Sequence, residues 1–454
     1  MNVLEHYTAA FVGFVWGPPL LVLLLGGGLF FLIYSRGTPY RHLHHGVAIL
    51  TGRYDRDDAP GDISHFQALS SALSGTLGMG NIAGVAVAIH MGGPGAVFWM
   101  WVTAVVGIGT KFFTCTLAVM YRGEDSLGRI QGGPMYVVRE GLGRRWMPLA
   151  VLFCVAGLVG TLPAFQINQL TQISREVIAE PRGWVGDNPF WFNLSFGLAA
   201  AALASVVILG GIQRVGAFAA RFVPLMVLIY LACVFYILAQ NIGAVPGLLG
   251  LIVTEAFSPT AVGGGLLGVI LTGVKRGAFS NEAGIGTESM AHGAARTDEP
   301  VREGLVAMLG PAIDTLLVCT ATALAILATG VWQSGEANGV TLTAEAFARA
   351  MPDFGLWLLI LVVFFFSITT IVTYSYYGTK CLGFLAGAQY EHHYRWFYIG
   401  LIVVGAVVSL DVVINVIDGM YALMAIPTMT SALILAPRVM AAARDYFARY
   451  QMES

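Results

Sequence analysis

A glycine-rich polar run interrupts a hydrophobic segment that is long enough to cross a membrane. The run reads Ser74-Gly75-Thr76-Leu77-Gly78-Met79-Gly80-Asn81-Ile82-Ala83-Gly84. Glycine destabilises a helix interior by roughly 1 kcal/mol relative to alanine, so the run predicts a break near mid-span. Broken backbone at membrane depth is tolerated only where protein or a polar cavity satisfies its N–H and C=O groups. The run therefore predicts a binding site inside the membrane, the alternative being glycines that only permit close helix packing.

A second hydrophobic segment is interrupted in the same way. It reads Lys275-Arg276-Gly277-Ala278-Phe279-Ser280-Asn281-Glu282-Ala283-Gly284. Both interruptions contain the pattern Asn-x-Ala-Gly, at Asn81 to Gly84 and at Asn281 to Gly284. Paired interrupted spans in corresponding halves of a chain are typical of the binding site of a secondary transporter.

Composition places the chain in a membrane. Of its 454 residues 57% are hydrophobic and only 11% are charged, whereas soluble domains carry about 25% charged residues. We see no basic patch with interleaved aromatic residues, so nucleic acid is not an expected partner. The five cysteines lie in apolar stretches without metal-ligand spacing, which favours neither disulfides nor zinc. The first apolar run, about Ala9 to Tyr34, predicts a retained helix rather than a signal peptide.

Apolar runs of about 20 residues predict an all-α membrane protein with eleven transmembrane helices, two of them broken. The predicted spans are 10–35, 64–91 (broken), 95–121, 147–171, 190–210, 217–240, 262–294 (broken), 304–330, 355–379, 396–413 and 416–437. Two shorter amphipathic stretches, 40–52 and 246–257, are typical of interfacial helices. With the N-terminus outside, seventeen Lys and Arg residues fall on inner segments and three on outer segments, as the positive-inside rule requires.

The eleven spans divide into one lead helix and ten core helices. The broken spans are the first and sixth of the ten, so they cross in opposite directions, which predicts two five-helix repeats of inverted topology. The expected organisation is a lead helix with its connector, two repeats and a cytoplasmic tail, at 1–62, 63–240, 241–441 and 442–454.

The first break offers sites for both an anion and a cation. A half-helix that starts at Gly78, Met79 and Gly80 presents free N–H groups and a partial positive charge, which suits a carboxylate. The carbonyl groups of Ser74 and Leu77, at the end of the preceding half-helix, suit a cation.

The span at 355–379 carries hydroxyl groups at helical spacing. Thr369, Thr370, Thr373 and Tyr374 fall on one side of the helix. The adjacent hydroxyls of Thr369 and Thr370 are hard oxygen ligands that suit Na⁺. The alternative is that these threonines bond carbonyls of their own preceding turn.

Further polar residues occur at membrane depth. Gln166 could accept a hydrogen bond from an ammonium group or bond a neighbouring helix. Glu282 requires a partner or a wet cavity, and Lys275 or Arg276 is the nearest basic residue in sequence. This gives either a structural ion pair or a gating group. Intramembrane charge also makes four further residues candidates: Lys111, Asp314, Asp411 and Asp418. Of these, Asp411 and Asp418 are expected near the outer surface, where they need no special role.

Several long motifs resemble the alanine-or-glycine:cation symporter family. They are Gly78-Met79-Gly80-Asn81-Ile82-Ala83-Gly84-Val85, Gly92-Gly93-Pro94-Gly95-Ala96-Val97-Phe98-Trp99-Met100-Trp101, Gln131-Gly132-Gly133-Pro134-Met135-Tyr136, Phe279-Ser280-Asn281-Glu282-Ala283-Gly284 and Ser375-Tyr376-Tyr377-Gly378. The resemblance spans about residues 10–440 and implies a LeuT-type fold with sodium-coupled uptake of a small amino acid.

The resemblance also implies residue roles. The substrate carboxylate would meet the backbone of Gly78, Met79 and Gly80, next to Asn81. The ammonium group would lie near Gln166 and the broken backbone at Phe279 and Ser280. Sodium would lie between the carbonyls of Ser74 and Leu77 and the hydroxyls of Thr369 and Thr370, and Thr373 and Tyr374 would form the pocket wall.

This chain departs from the family pattern at three places. Many members have Thr at the position of Met79 and Gly-Trp at the positions of Thr373 and Tyr374. Leu162-Pro163-Ala164 replaces the usual Gly-Asn-Met before the glutamine. Sodium coupling is expected to survive because its proposed ligands are intact, whereas selectivity for alanine or glycine does not follow from the resemblance.

The expected function is sodium symport of a small neutral amino acid across a bacterial or archaeal inner membrane. The N-terminus would be outside and the C-terminus cytoplasmic, with lipid as the surrounding partner and the oligomeric state open. The rival within this class is a carrier of the same fold for another solute, or one driven by protons through Glu282 or Glu288. An enzyme is not expected, because His42, His44 and His45 and the pair His392–His393 lack acidic ligands at helical spacing.

Overall fold

Helices make up almost all of the described structure, as expected for apolar segments that must satisfy their backbone groups internally. The computed structural model describes residues 3–56, 58–186, 188–258, 265–333, 339–408 and 411–453. Within these residues the strands are confined to one antiparallel hairpin of two residues a side.

The first half of the chain runs from the lead helix to the long helix that ends at Gln240. Its elements are α1 (Val3–Val15), α2 (Pro18–Tyr34), α3 (Thr38–Arg41), α4 (Leu43–Leu50), α5 (His65–Thr76), a π-helical turn (Gly80–Gly84), α6 (Val85–Gly92), α7 (Gly95–Met120), β1 (Gly123–Glu124), β2 (Ile130–Gln131), α8 (Pro134–Tyr136), a π-helical segment (Val137–Leu142), a 3₁₀ turn (Arg144–Trp146), α9 (Met147–Gly160), α10 (Ala164–Ser174), a π-helical turn (Arg175–Ala179), a 3₁₀ turn (Glu180–Arg182), α11 (Phe190–Ile208) and α12 (Gly211–Gln240).

The second half begins with a short helix and contains the other interrupted segment. Its elements are a 3₁₀ turn (Ile242–Ala244), α13 (Val245–Glu255), α14 (Gly265–Asn281), α15 (Thr287–His292), α16 (Pro300–Ala307), α17 (Leu309–Pro311), a π-helical segment (Ala312–Cys319), α18 (Thr320–Thr329), a 3₁₀ turn (Val331–Gln333), α19 (Val340–Ala350), α20 (Gly355–Ala386), a 3₁₀ turn (Ala388–Tyr390), α21 (Glu391–Val407), α22 (Asp411–Leu423) and α23 (Ala425–Glu453).

Eight helices in the described ranges are long and apolar enough to cross a membrane, or nine if α5 and the helix from Gly80 to Gly92 count as one bent span. The two other spans predicted from the sequence correspond to shorter helices. The span at 262–294 falls on α14 and α15, and that at 396–413 falls on α21. Residues 262–264 and 409–410 lie outside the described residues.

Two long helices, α7 and α20, form the centre of the molecule, and most of their residues are buried. Helix α7 packs against α14 and α16, while α20 packs against α5, α9 and α12. The two interrupted segments therefore lie between these central helices, where other protein surrounds their backbone.

The start of the first interrupted segment is fixed by a capping box. Ser64 Oγ accepts a hydrogen bond from the Gln67 N–H at 3.2 Å, and Gln67 Oε1 accepts one from the Ser64 N–H at 3.0 Å. This reciprocal pair satisfies two donors at the start of α5. Its first residue, His65, contacts the buried carboxylate of Glu303, which connects this end of α5 to α16.

Candidate functional site

The first interruption is a sharp bend whose freed backbone groups are met by side chains. Helix α5 ends at Thr76, and the two half-helices differ in direction by 54°. Asn81 Oδ1 accepts a hydrogen bond from the Gly78 N–H at 3.1 Å. On the far side, Thr322 Oγ1 donates to the Asn81 carbonyl at 2.9 Å, and Thr343 Oγ1 donates to the next carbonyl at 3.3 Å. Side chains of the protein therefore satisfy these backbone groups at the bend.

The second interruption is an irregular turn between α14 and α15. Glu282 has φ +56°, and Gly284 and Gly286 also have positive φ, a conformation that is costly for a residue with a side chain. Asn281 Oδ1 accepts from the Ala283 N–H at 3.0 Å. The Asn-x-Ala-Gly repeat thus has a shared structural role, because in each interruption the asparagine side chain accepts a nearby backbone N–H.

The predicted cation ligands meet where the first interruption touches α20. Thr370 Oγ1 donates to the Ser74 carbonyl at 3.0 Å and to the Phe366 carbonyl at 2.9 Å. Thr369 Oγ1 donates to Phe366 O at 3.1 Å. Leu77 is fully buried and its backbone is not helical, which frees its carbonyl. Both threonines thus bond their own preceding turn, the alternative left open by the sequence, and Thr370 also reaches across to Ser74.

The predicted anion-binding backbone is only partly free. The Gly78 N–H already donates to the Thr76 carbonyl at 2.9 Å as well as to Asn81. Met79 and Gly80 begin the second half-helix, where N–H groups lack partners within the helix. Met79 is buried and Gly80 is partly exposed, so Gly80 offers the more accessible donor.

Gly78 lies unusually close to α20. A Cβ atom at this position would be 2.9 Å from Thr370 Oγ1, closer than real Cβ contacts. Glycine is thus required here by the close approach of the anion-binding segment to the hydroxyl of the predicted cation site.

A cavity of about 290 Å³ contains three of the predicted substrate residues, Gln166, Phe279 and Tyr374. Tyr421, from α22, lines it as well. The rings of Phe279 and Tyr374 both lie near that of Tyr421, with centroids 5.8 and 6.2 Å away. Thr373 lies behind this cavity, where its hydroxyl contacts Ser74 Oγ.

Glu282 does not pair with Lys275 or Arg276, and that interpretation of the sequence is wrong. Its carboxylate accepts hydrogen bonds from Tyr374 Oη at 2.7 Å and from Thr287 Oγ1. The turn at Glu282 directs the side chain toward α20, whereas Lys275 lies almost two turns earlier on α14. The acid therefore supports the wall of the cavity rather than its rim.

Asp418, which the sequence placed near the outer surface without a special role, belongs to a polar cluster that lines the cavity. Lys275 Nζ lies 3.9 Å from Asp418 Oδ2, and Trp16 Nε1 donates to Asp418 Oδ1 at 3.3 Å. Asp418 and Tyr421 are three residues apart on one helix, so both face the cavity. That spacing was the available signal, but it gives no indication that α22 packs against the lead helix and α14.

A second cavity, of about 510 Å³, lies further along α20, toward the end of that helix. Its lining includes Asp62, Arg129, Tyr376, Lys380 and Arg395. The first cavity reaches Tyr374 and the second reaches Tyr376, so the buried layer at Tyr374 and Tyr377 separates them. No group of three or more His, Cys, Asp or Glu side chains suited to a metal ion occurs in the described part of the chain.

The fold is similar to that of a solved protein structure. MhsT, solved in complex with L-phenylalanine, aligns with a TM-score of 0.57 at 13% sequence identity, covering 84% of this chain and 98% of that one. At this identity the likeness establishes the fold alone. The fold and the multiple apolar spans define an all-helical, multi-pass membrane protein with a LeuT-like fold.

Sequence comparison identifies the family. The model of the Sodium:alanine symporter family matches residues 1–454. The sodium/alanine symporter AgcS of Methanococcus maripaludis is 40% identical over 426 residues, which cover 93% of this chain and 92% of that protein. A putative sodium/proton-dependent alanine carrier, YrbD of Bacillus subtilis, is 35% identical, with 88% and 82% coverage. The chain belongs to the sodium:alanine symporter family; it is a transporter and not an enzyme.

Proposed function

We propose that the protein couples Na⁺ influx to the uptake of a small neutral amino acid, with alanine and glycine the first candidates. The contact of the first interruption with α20 supports this most directly. There Thr370 Oγ1 reaches the Ser74 carbonyl at 3.0 Å, and Gly78 approaches the same hydroxyl. One hydroxyl therefore joins the proposed sodium ligands to the segment proposed to hold the substrate carboxylate.

Sodium would bind between the carbonyls of Ser74 and Leu77 and the hydroxyls of Thr369 and Thr370. It would replace the hydrogen bond that Thr370 makes to Ser74 and hold α5 against α20. The backbone at Gly78, Met79 and Gly80, supported by Asn81, would then be positioned for a carboxylate. Sodium and substrate would consequently bind with reciprocal coupling, typically about 1–3 kcal/mol.

The rest of the amino acid would lie in the cavity of about 290 Å³. Gln166 and the backbone carbonyls at Phe279 and Ser280 would accept hydrogen bonds from its ammonium group. Tyr374 would bound the side chain, with Thr373 behind it. This wall differs from the Gly-Trp of many family members, so the size of accepted side chains is the property we expect to vary.

Transport would proceed by alternating access between the two cavities on either side of the layer at Tyr374 and Tyr377. We propose eleven spans, with α14 and α15 together as the second broken span, α21 as the tenth, and two inverted repeats at 63–240 and 241–441. Residues 1–62 would be the lead helix and connector, and 442–454 the cytoplasmic tail. The protein would lie in the inner membrane of a bacterium or archaeon with its N-terminus outside.

A proton-coupled carrier is the second candidate. Glu282, Glu288 and Asp314 are all fully buried in the transmembrane region, where an ionised carboxyl group is costly. The name of the relative YrbD combines sodium and proton dependence. Independent variation of pH and sodium in one uptake assay distinguishes the two candidates.

The proposal is tested by Thr370→Ala, measured as the sodium concentration that half-saturates amino-acid uptake in proteoliposomes. We expect this concentration to rise at least several-fold, while the ranking of competing amino acids stays the same. Ser375→Ala is the matched control, because the Ser375 hydroxyl, one turn further along α20, donates to Val372 of its own helix. An unchanged sodium response in Thr370→Ala would remove the proposed sodium site.

A further inference from the structure

Lys380, on α20, carries an ammonium group that is almost fully buried and has no carboxylate partner. The residue is 5% exposed and lines the cavity of about 510 Å³. Its Nζ atom donates to the carbonyl oxygens of Gly132 at 2.9 Å and Met290 at 3.3 Å, and it forms no ion pair with the described residues. Carbonyl groups do not neutralise a charge, and an ammonium group has three donors, so Lys380 retains the capacity to bind an anionic group.

The other cations in the lining of this cavity already have carboxylate partners. Arg129 lies 2.7 Å from Asp125 and 2.9 Å from Glu391. Arg395 Nη2 lies 3.6 Å from the second oxygen of Glu391. Among the described residues, Lys380 is therefore the cation of this cavity that lacks a carboxylate.

Asp62 places a negative charge on the same cavity. Its side chain is exposed and belongs to the lining, and its carboxyl group lies within electrostatic range of Lys380 without forming an ion pair. The Asp62 N–H donates to the Ala294 carbonyl at 2.8 Å, and Asp62 lies two residues before Ser64, the cap of α5. The cavity thus has a positive group on α20 and a negative group beside the start of α5, with space between them.

We infer that Lys380 and Asp62 form a second binding site for an amino acid, which would be held as a zwitterion. The carboxylate of the ligand would bind the Lys380 ammonium group, and its own ammonium group would bind the Asp62 carboxylate. The ligand would then bridge α20 and the segment that leads into α5. Charge-assisted hydrogen bonds of both kinds are the strong ones in proteins, and neither involves the ligand's side chain.

This inference rests on the proposed function, because it places the second site on the side of the Tyr374 and Tyr377 layer from which the substrate would leave. The site is separate from the substrate site proposed in the cavity of about 290 Å³. Neither Lys380 nor Asp62 belongs to the proposed sodium ligands. Binding at the second site should therefore not require sodium.

Equilibrium binding of radiolabelled L-alanine to the purified protein tests this, in potassium chloride and in sodium chloride of equal ionic strength. We expect saturable binding in potassium alone and additional binding in sodium. The measurement follows a demonstration of sodium-driven alanine uptake in proteoliposomes. Failure of that uptake counts against the proposed function, whereas normal uptake without saturable binding in potassium overturns the second site alone.

Two variants locate the site. Lys380→Gln and Asp62→Asn should each weaken alanine binding in potassium at least tenfold, as expected for the loss of one hydrogen bond to a charged group. Sodium-dependent binding should persist in both, which also shows that they are folded. Arg144→Gln removes an exposed positive charge outside the cavity and should bind like wild type. Unchanged binding in potassium in either cavity variant contradicts a zwitterion site, and loss in Lys380→Gln alone indicates a site for an anion.

Amine labelling of the wild-type protein gives a test that needs no variant. The sequence contains three lysines, Lys111, Lys275 and Lys380, and Lys275 lines the other cavity. L-alanine in potassium chloride should slow the reductive methylation of Lys380, measured by peptide mass spectrometry, and leave that of Lys275 unchanged. Propionate and alanine amide, which each carry one of the two charges, should protect less. Absence of protection at Lys380, or equal protection by propionate, overturns the inference.

Discussion

The close approach of Gly78 to α20 makes Gly78→Ala the sharpest perturbation of the proposed sodium site. The new Cβ atom would be 2.9 Å from Thr370 Oγ1, so the hydroxyl or the backbone must move. The Thr370 hydroxyl has one proton, which is shared between the Ser74 carbonyl at 3.0 Å and the Phe366 carbonyl at 2.9 Å. Moving this oxygen away from the proposed ion removes one ligand contact, which we value like one hydrogen bond to a charged group, at about 1.5–3 kcal/mol. If that loss falls on sodium binding, the half-saturating concentration rises roughly 13- to 150-fold.

The assay is sodium-dependent uptake in proteoliposomes at saturating amino acid, with Gly84→Ala as the control. Gly84 lies in the same interrupted span, and a Cβ atom there meets nothing within 4 Å. The control should therefore keep the wild-type sodium response. If Gly78→Ala is folded and its half-saturating sodium concentration matches that of wild type, the close contact does not belong to a sodium site.

Two further predictions concern stability. Tyr374→Phe removes the hydroxyl that donates to Glu282 at 2.7 Å, so the free energy of unfolding should fall by about 1–3 kcal/mol. The control Tyr377→Phe should change it little, because the buried hydroxyl of Tyr377 has no partner in the described structure. Equal shifts of the melting temperature in the two variants would refute this prediction. Burial, with the positive charges of His42 and Arg302, lowers the pKa of His45 in helix α4 from 6.5 to about 4. The unfolded chain binds the proton more readily, so stability present above pH 6.5 is lost as the pH falls toward 4. His45→Gln should reduce the fall in melting temperature between pH 6.5 and pH 4, whereas His44→Gln, at an exposed position, should not. If the melting temperatures of wild type and both variants change with pH in parallel, the prediction is wrong.

The membrane class and most of the spans could be predicted because a helix in lipid must be apolar over about 20 residues. The family could be recognised for a different reason, since its motifs are long and keep their order. The shorter helices are harder to predict: α21 has 17 residues, and α14 and α15 are separated by an irregular turn. A hydropathy average over about 20 residues does not detect such a turn, and it does not predict where the side chains in the turn point.

The sequence alone did not predict which side chains the site residues contact. Proximity along the chain suggested Lys275 for Glu282, but the positive φ of Glu282 turns its carboxylate toward Tyr374 on α20. Likewise, Asp418 is distant in sequence from both Lys275 and Trp16, which it contacts. These pairings depend on how distant helices pack, and one sequence without relatives carries no record of them.

The reason for the repeated Asn-x-Ala-Gly pattern also required the structure. Both asparagines accept a backbone N–H within their own interruption, Asn81 from Gly78 and Asn281 from Ala283. Their other contacts differ, because the Asn81 amide donates to Ser280 Oγ at 3.2 Å, whereas Asn281 Nδ2 has no partner among the described residues. In both halves, therefore, an asparagine side chain stabilises the break by accepting a backbone N–H. The halves differ in whether the amide nitrogen of that asparagine bonds a neighbouring segment.

The most direct test of sodium-coupled amino-acid uptake is accumulation of radiolabelled L-alanine in proteoliposomes. Inward sodium and inward proton gradients are imposed separately, with potassium as the replacement ion and unlabelled amino acids as competitors. The account predicts accumulation that requires the sodium gradient, persists without a pH gradient and is blocked by excess glycine. Accumulation driven by the pH gradient in the absence of sodium would contradict the proposed coupling. Sodium-driven uptake of a different amino acid, with none of alanine, would retain the coupling and contradict the proposed substrate.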